Sequence, residues 1–274
     1  AHYNSFTKLF KFFDNSFMLG VTATPLSSNK NLPMNDNYDE LITGETIGAL
    51  IENEFLARAE VFQYDMGLTS LEVGANGDYT VKSSEDLYSS NSMLDKLLDA
   101  YQRHSKGKKT LIFNNGINTS IQVYYTFKAE GLPVAHLDNT ATKKQRKQIL
   151  KWFRETPDTI ILNRATKSLT LYYQMIGRGS RILNNKSSFS VIDLGNNCHR
   201  FGPWGSDLDW KAIFRSPDFY MDRLLSDEEL EGNFKHEMPE ELRVQFSNSE
   251  EVYFDIKNTY ITATNKGESS KVVL

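Results

Sequence analysis

The chain carries a single cysteine, Cys198, among its 274 residues. One thiol excludes an intrachain disulfide and any zinc site built from several cysteines, so Cys198 reads as structural and its neighbour His199 as incidental. No apolar run approaches the ~18 to 20 residues that span a bilayer. The start, Ala1-His2-Tyr3-Asn4, has no signal-peptide pattern. A soluble, cytoplasmic chain without a membrane partner is therefore expected. Gly-x-x-x-x-Gly-Lys-Ser/Thr is also missing, so no P-loop can cradle the β- and γ-phosphates of a nucleotide. Internal repeats, low-complexity segments and a recognisable metal-ligand cluster are absent too.

Hydrophobic residues make up 39% of the chain, enough for one large or two ordinary domains. The net charge of -4 argues against a polyanionic partner until it is resolved by region. Tyr101 to Arg181 holds 15 Lys/Arg against 4 Asp/Glu, a net +11, and the rest carries -15. A basic middle in an acidic chain is the footprint expected of phosphate-backbone binding, and a solvated basic helix also contributes to it.

Phe17 to Val21 reads as a short buried strand that Pro25 stops after Thr22-Ala23-Thr24. An Asn-rich loop follows, and then helical spacing over Tyr38 to Leu56, with Ile47, Leu50, Ile51 and Phe55 as buried positions. Alternation marks Ala59 to Phe62, Asn76-Gly77-Asp78 is a turn, and Ser83 to Asn91 is polar enough for a loop or linker. From Lys109 the chain alternates strand and helix. Strands are expected at Thr110–Phe113, Val134–Leu137, Thr159–Leu162 and Phe189–Asp193. Between them lie a helix capped by Asn118 or Thr119 and ended by Gly131, a basic helix capped by Thr140 or Thr142 with Ile149, Leu150 and Phe153 as core, and a third ending near Arg181. This βα rhythm predicts a parallel sheet covered on both faces, with ligands at the carboxyl ends of its strands. Beyond Gly202 the chain is acidic and aromatic. Helices are expected over Trp204–Leu225 and Asp227–Glu241, and strands over Glu251–Ile256 and Thr259–Thr262.

The densest signal is Gln174-Met-Ile-Gly177-Arg178-Gly179-Ser-Arg181. If the helix runs through it, Gln174, Gly177, Arg178 and Arg181 share one face at i, i+3, i+4 and i+7, with Leu169, Tyr172, Tyr173 and Ile176 opposite. Each interior glycine costs about 1 kcal/mol against alanine, so Gly177 and Gly179 suggest that something approaches the backbone closely. Two permanently charged, planar donors there could stabilise a transferring phosphoryl group.

This stretch, with Thr159 to Thr170 before it, resembles the sixth motif, Gln-x-x-Gly-Arg-x-x-Arg, of superfamily 2 DEAD/DEAH-box helicases of the RadD-like type. Further segments are similar in the same order. Thr22-Ala23-Thr24 looks like the third motif, which couples the nucleotide site to the nucleic acid, and Tyr38 to Ala57 resembles the segment after it. Leu111-Ile-Phe-Asn114-Asn115 looks like the fourth motif. His136 to Arg146 resembles the next strand, loop and basic helix, in which Thr140 and Arg146 contact phosphates. Asp193-Leu194 with Asn196 and Arg200 is similar to the close of the second motor domain.

The resemblance implies RecA-like α/β architecture: a remnant of a first RecA-like domain over 1–52, a second over 53–205 and an accessory extension over 206–274. It implies ATP as cofactor and Mg2+ held outside this chain, with Arg181 as arginine finger, Arg178 and Gly177 at the phosphate and Gln174 positioning them. The partners implied are nucleic acid, DNA ahead of RNA, and an N-terminal ATPase half of the same protein, since Ala1-His2 looks like the end of an Asp-Glu-Ala-His box. Alternatives are the motor subunit of a restriction system and a non-catalytic RecA-like binding module. A fifth motif, normally a strand and a glycine-containing loop, is missing at Asp158-Thr159, through deletion or through omission of a mobile loop.

Overall fold

The computed structural model describes residues 8, 10–13, 16–27, 32–64, 66–154, 156–182, 186–218 and 271–273. These fall into two compact units, Leu50–Gly205 and a second made of Ala1–Ala49 with Ser206–Leu274. The chain begins with strands β1 (Met18–Gly20) and β2 (Glu40–Leu41) and helix α1 (Ile47–Glu52). Then come β3 (Arg58–Gln63), α2 (Val81–Tyr88), α3 (Asn91–His104), β4 (Thr110–Asn114), α4 (Ile117–Ala129) and α5 (Lys143–Phe153). β5 (Thr159–Asn163), α6 (Leu169–Ile176), β6 (Ser188–Asp193), α7 (Asn197–Phe201), α8 (Trp210–Arg215) and β7 (Lys271–Val273) complete the series.

The larger unit is built on a four-stranded sheet ordered β3-β6-β5-β4, with every pair parallel. All five residues of β5 are buried, and so are five of the six in β6. That is the mark of central strands covered on both faces, and it follows from the unbroken runs Thr-Ile-Ile-Leu-Asn and Phe-Ser-Val-Ile-Asp. On one face Ile161 and Ile192 pack with Tyr88, Leu94, Leu97 and Tyr101 from α2 and α3 and with Val123 and Phe127 from α4.

Ser83–Asn91 is not a linker. Thr80 and Ser90 cap α2 and α3, their hydroxyls accepting from Ser83 N at 3.2 Å and Met93 N at 3.4 Å. Buried Ser83 and Ser84 have their hydroxyls bonded to neighbours within the unit, so the polarity that suggested a loop is satisfied inside the helices. α4 starts at Gly116, with φ 94°, and Glu85 Oε1 accepts from Asn118 N at 2.9 Å, so the cap comes from α2 and not from Asn118 or Thr119. Thr142, in contrast, caps α5 as expected, in a reciprocal box with Gln145. Among the described residues Val134–Leu137 joins no ladder. Pro133 withholds an N–H there, while His136 and Asp138 bond through their side chains. Leu150, expected in the core, is 56% exposed.

In the smaller unit β7 lies between β1 and β2, parallel to both. Leu41 and Phe214 form a small core with Met34, Tyr38 and Trp210. β1 was expected to be buried, but its Leu19 is 64% exposed. Helical spacing over Tyr38–Leu56 yields only the short α1, because Glu40–Leu41 is drawn into the sheet and Gly44 follows. Phe55, expected inside, is 68% exposed. Of the helix expected at Trp204–Leu225, only Trp210–Arg215 is seen among the described residues. The elements expected over 227–262 lie outside them.

Replacing fully buried Leu97 by alanine should cost about 2 to 5 kcal/mol of stability. Urea melts should show a lower midpoint at an unchanged slope, and an unaltered midpoint would mean that this packing is not formed.

Candidate functional site

Helix α6 is capped by Ser168, whose hydroxyl accepts from Leu171 N at 3.3 Å. Leu169, Tyr172, Tyr173 and Ile176 are buried, as the spacing predicts. The helix does not reach Arg181, however. It ends at Ile176, and the backbone tightens into i to i−3 bonds, Arg178 N to Met175 O at 3.3 Å and Gly179 N to Ile176 O at 2.8 Å. Arg181 then forms an antiparallel bridge with Leu56. Two glycines within three residues favour this exit over continued helix.

The close approach at the glycines is to the protein core. A Cβ on Gly179 would strike the Phe189 ring and lie 3.1 Å from Ile160, and one on Gly177 would lie 3.0 Å from Tyr173 O. The space beside Gly179 is filled by the core and not by a ligand. Three further bonds anchor the turn: Ala57 N donates to Ser180 O at 2.7 Å, and Lys186 Nζ donates to Gly179 O at 2.7 Å and to Pro157 O at 2.6 Å. Gln174, Arg178 and Arg181 are exposed on this fixed turn, and their side chains form no hydrogen bond or ion pair among the described residues.

The other candidates lie at the opposite edge of the sheet. Asn114 and Asn163 end β4 and β5, whereas the arginine turn abuts the start of β3, a strand length of roughly 17 to 20 Å away. Asn114 Oδ1 accepts from Asn163 Nδ2 at 2.7 Å, and buried Asn115 donates to Ser84 Oγ at 2.7 Å. Both side chains are engaged inside the unit. Thr140 directs its N–H and its hydroxyl at Asp138 Oδ1, 2.8 and 2.7 Å away. Arg146 is exposed, and one of its nitrogens donates to Asp138 O at 2.8 Å. The remaining guanidinium N–H groups make no further bond among the described residues. Of these four candidates Arg146 is thus the one with donors to offer a phosphate.

Asp78, read in the sequence only as part of a turn, ties that turn to the segment between β5 and α6. Its carboxylate accepts from Thr166 Oγ1 at 2.8 Å and Lys167 N at 2.7 Å, with Arg164 3.7 Å away. Asn197 continues the web to Arg164 O and to Asp193, both from Nδ2, and Asp193 also accepts from Gly195 N and Cys198 N. Burial pushes the Asp193 carboxyl above its ordinary range, against the pull of those bonds. Nothing in one sequence marks Lys186 or Asp193 for these tasks. The Asn76-Gly77-Asp78 turn was a partial signal.

In the smaller unit Thr22 Oγ1 accepts from Thr24 N at 3.1 Å, a local hydroxyl turn, with Thr24 buried and Ala23 exposed. Ala1 and His2 lie outside the described residues. Among those described, no group of His, Cys, Asp and Glu could hold a metal ion, and no helix is long and apolar enough to cross a membrane.

With an all-parallel sheet between helices and an arginine-bearing turn after α6 in place, comparison with known families becomes decisive. Residues 89–163 match the helicase conserved C-terminal domain. The larger unit thus carries a superfamily 2 helicase C-terminal domain of RecA-like α/β fold. The chain is also similar to a 51.5 kDa protein of Lactococcus phage (isolate 7-9), 28% identical over 233 residues. That match takes in 77% of this chain and 50% of the relative, so the chain spans about half the relative's length. The family stretch includes α3 to β5 and stops before the arginine turn.

Within this helicase domain the junction expected to carry a fifth motif is closed. Asp158 and Thr159 are consecutive in the full sequence, and both donate their N–H to Lys109 O, at 2.8 and 3.1 Å. β4 and β5 pair directly, from Thr110 opposite Thr159 to Asn114 opposite Asn163. The stretch between α5 and β5, Arg154 to Asp158, contains no glycine.

Hydrogen bonds from Thr140, with a smaller contribution from His136, lower the Asp138 pKa from 3.8 to about 2. The folded loop favours the carboxylate, so its stabilisation is in place above pH 4 and fades as pH falls through 2. The Thr140 amide shift in NMR should titrate near pH 2, and a midpoint near 4 would show that the loop is not ordered around Asp138.

Proposed function

We propose that this chain is the C-terminal part of an ATP-dependent nucleic-acid helicase or translocase. In this reading Arg181 acts as the arginine finger and Arg178 as a second phosphate contact, while Gln174 positions them. The observation that carries the reading is the turn from Gly177 to Arg181. Its backbone is clamped by Phe189, Ala57 and Lys186, while Gln174, Arg178 and Arg181 stay exposed and unspent. A backbone seated this way leaves both guanidinium groups at the surface, where their planar, permanently charged donors fit a triphosphate. In this reading Mg2+ would be held by carboxylate oxygens of an N-terminal ATPase half of the same protein. ATP bound between the halves would supply the phosphoryl group, and this chain's residues would bind and stabilise its negative charge.

Nucleic acid, DNA ahead of RNA, would meet the opposite edge through Arg146, with Asn114, Asn115 and Thr140 ordering the surface around it. Thr22, Ala23 and Thr24 would relay between the two sites. A second reading, a RecA-like module that binds nucleic acid without turnover, is favoured by the closed Asp158-Thr159 junction, which removes the loop expected to touch both ligands.

Steady-state phosphate release stimulated by nucleic acid separates the two. In the intact protein Arg181→Ala should slow turnover by roughly 10³-fold or more with nucleotide binding retained, and the 274-residue chain alone should release no phosphate. Wild-type turnover in Arg181→Ala would remove the finger. No turnover in the intact wild type would leave the binding module.

A further inference from the structure

The outward side of α5 is not explained by packing or by the arginine turn. From Lys143 to Phe153 the helix carries Lys143, Lys144, Arg146, Lys147 and Lys151 and no acidic residue. Ile149 and Phe153 are the half-buried positions, and the five cations are exposed. Lys143, Lys147 and Lys151 stand at i, i+4 and i+8, a row with about 6 Å between successive positions. Like charges at this spacing repel and weaken a helix, a cost that bound anions would relieve. The adjacent row is Lys144, Gln148 and Trp152.

Trp152 is the second observation. It is 56% exposed, whereas Trp204 is 6% exposed and packs against Tyr173 with the rings tilted. A large aromatic ring left open to water, about a quarter-turn around the helix from Lys151, has the composition of a stacking platform. The charges follow a phosphate backbone and the ring takes a base face.

The helix is also held firmly enough to serve as one. Its start is closed by the Thr142–Gln145 capping box, and its end is tied to the sheet where Lys109 Nζ donates to Arg154 O at 2.7 Å. From there Pro157 O connects through Lys186 to Gly179, so the far end of the helix is mechanically linked to the arginine turn.

We propose that α5 is a single-strand platform: Lys143, Lys147 and Lys151 bind successive phosphates of a single-stranded nucleic acid, and Trp152 stacks on one of its bases. The inference rests on the nucleic-acid reading above and adds to it the strand type, the path and the base contact. A duplex keeps its base faces covered and would leave Trp152 without a partner.

The test uses the chain as it stands, titrated with oligodeoxythymidylate and with oligouridylate and read by anisotropy and by tryptophan emission. Binding should quench the emission in the wild type. The quench should vanish in Trp152→Phe, with affinity kept within about threefold, because phenylalanine retains a stacking face. Trp152→Ala should weaken binding by roughly 5- to 150-fold. Lys147→Gln with Lys151→Gln should flatten the salt dependence by about 1.4 in slope, roughly 0.7 for each phosphate that is no longer neutralised. Val81→Ala, exposed on α2, should bind as the wild type does. Wild-type affinity in Trp152→Ala would overturn the platform, turning Trp152 over to a protein partner, while leaving nucleic-acid binding intact. Failure of the wild type to bind either strand at low salt would overturn the nucleic-acid reading itself.

Discussion

The functional reading depends on one packing constraint, the seating of the Gly179 backbone against the Phe189 ring and Ile160. No side chain larger than hydrogen fits there. The backbone is thereby pulled into the core just where α6 stops, and the flanking residues Arg178 and Arg181 remain at the surface. Lys186 adds to the clamp at some expense, since burial lowers its pKa by disfavouring the ammonium. It recovers part of that through the two carbonyls it binds, Gly179 O and Pro157 O. A flexible turn would have to order its backbone as well as two arginine side chains at the moment of binding, and a seated one has only the side chains left to order.

The same lobe separates its chemistry by position. One end of the sheet holds the arginine turn, while the other holds a web of paired amides and carboxylates through Asp78, Asp193 and Asn197, beside which Asn163 donates to Asn114 and leaves its own buried Oδ1 without a hydrogen bond. The phenols follow the same rule: buried Tyr88 and Tyr172 are pushed up by desolvation and donate to Leu194 O and Gly202 O. Buried polar groups that are paired in this way rigidify the lobe and leave little free to bind a ligand. The basic helix α5 runs from one edge toward the other, which makes it a physical route between the two ends.

Much of the parallel sheet was legible because β5 and β6 are continuous apolar runs between capped helices, and period and turn residues agree there. Boundaries failed where local pattern met a tertiary demand. Ser83–Asn91 looked like a loop because its serines are polar, and its hydroxyls turn out to bond within and between helices. The helix through Arg181 looked continuous because one face could be drawn through it, yet core packing at Gly179 diverted the chain. Gln174, Arg178 and Arg181 were singled out by type and spacing, and all three are exposed. Lys186, Asp78 and Asp193 were not singled out, because their roles depend on segments far apart in sequence. Asn115 and Thr140 had the right chemistry for a backbone contact, but partners invisible from the sequence already engage them.

The central claim is that the arginine turn is preset to meet a terminal phosphate. A structure of the intact protein with Mg2+ and a non-hydrolysable ATP analogue tests it most directly. The account predicts the Gly177–Arg181 backbone unchanged and an Arg181 nitrogen within about 2.7 to 3.2 Å of a γ-phosphate oxygen. Nucleotide bound with Arg178 and Arg181 both still facing solvent would contradict it.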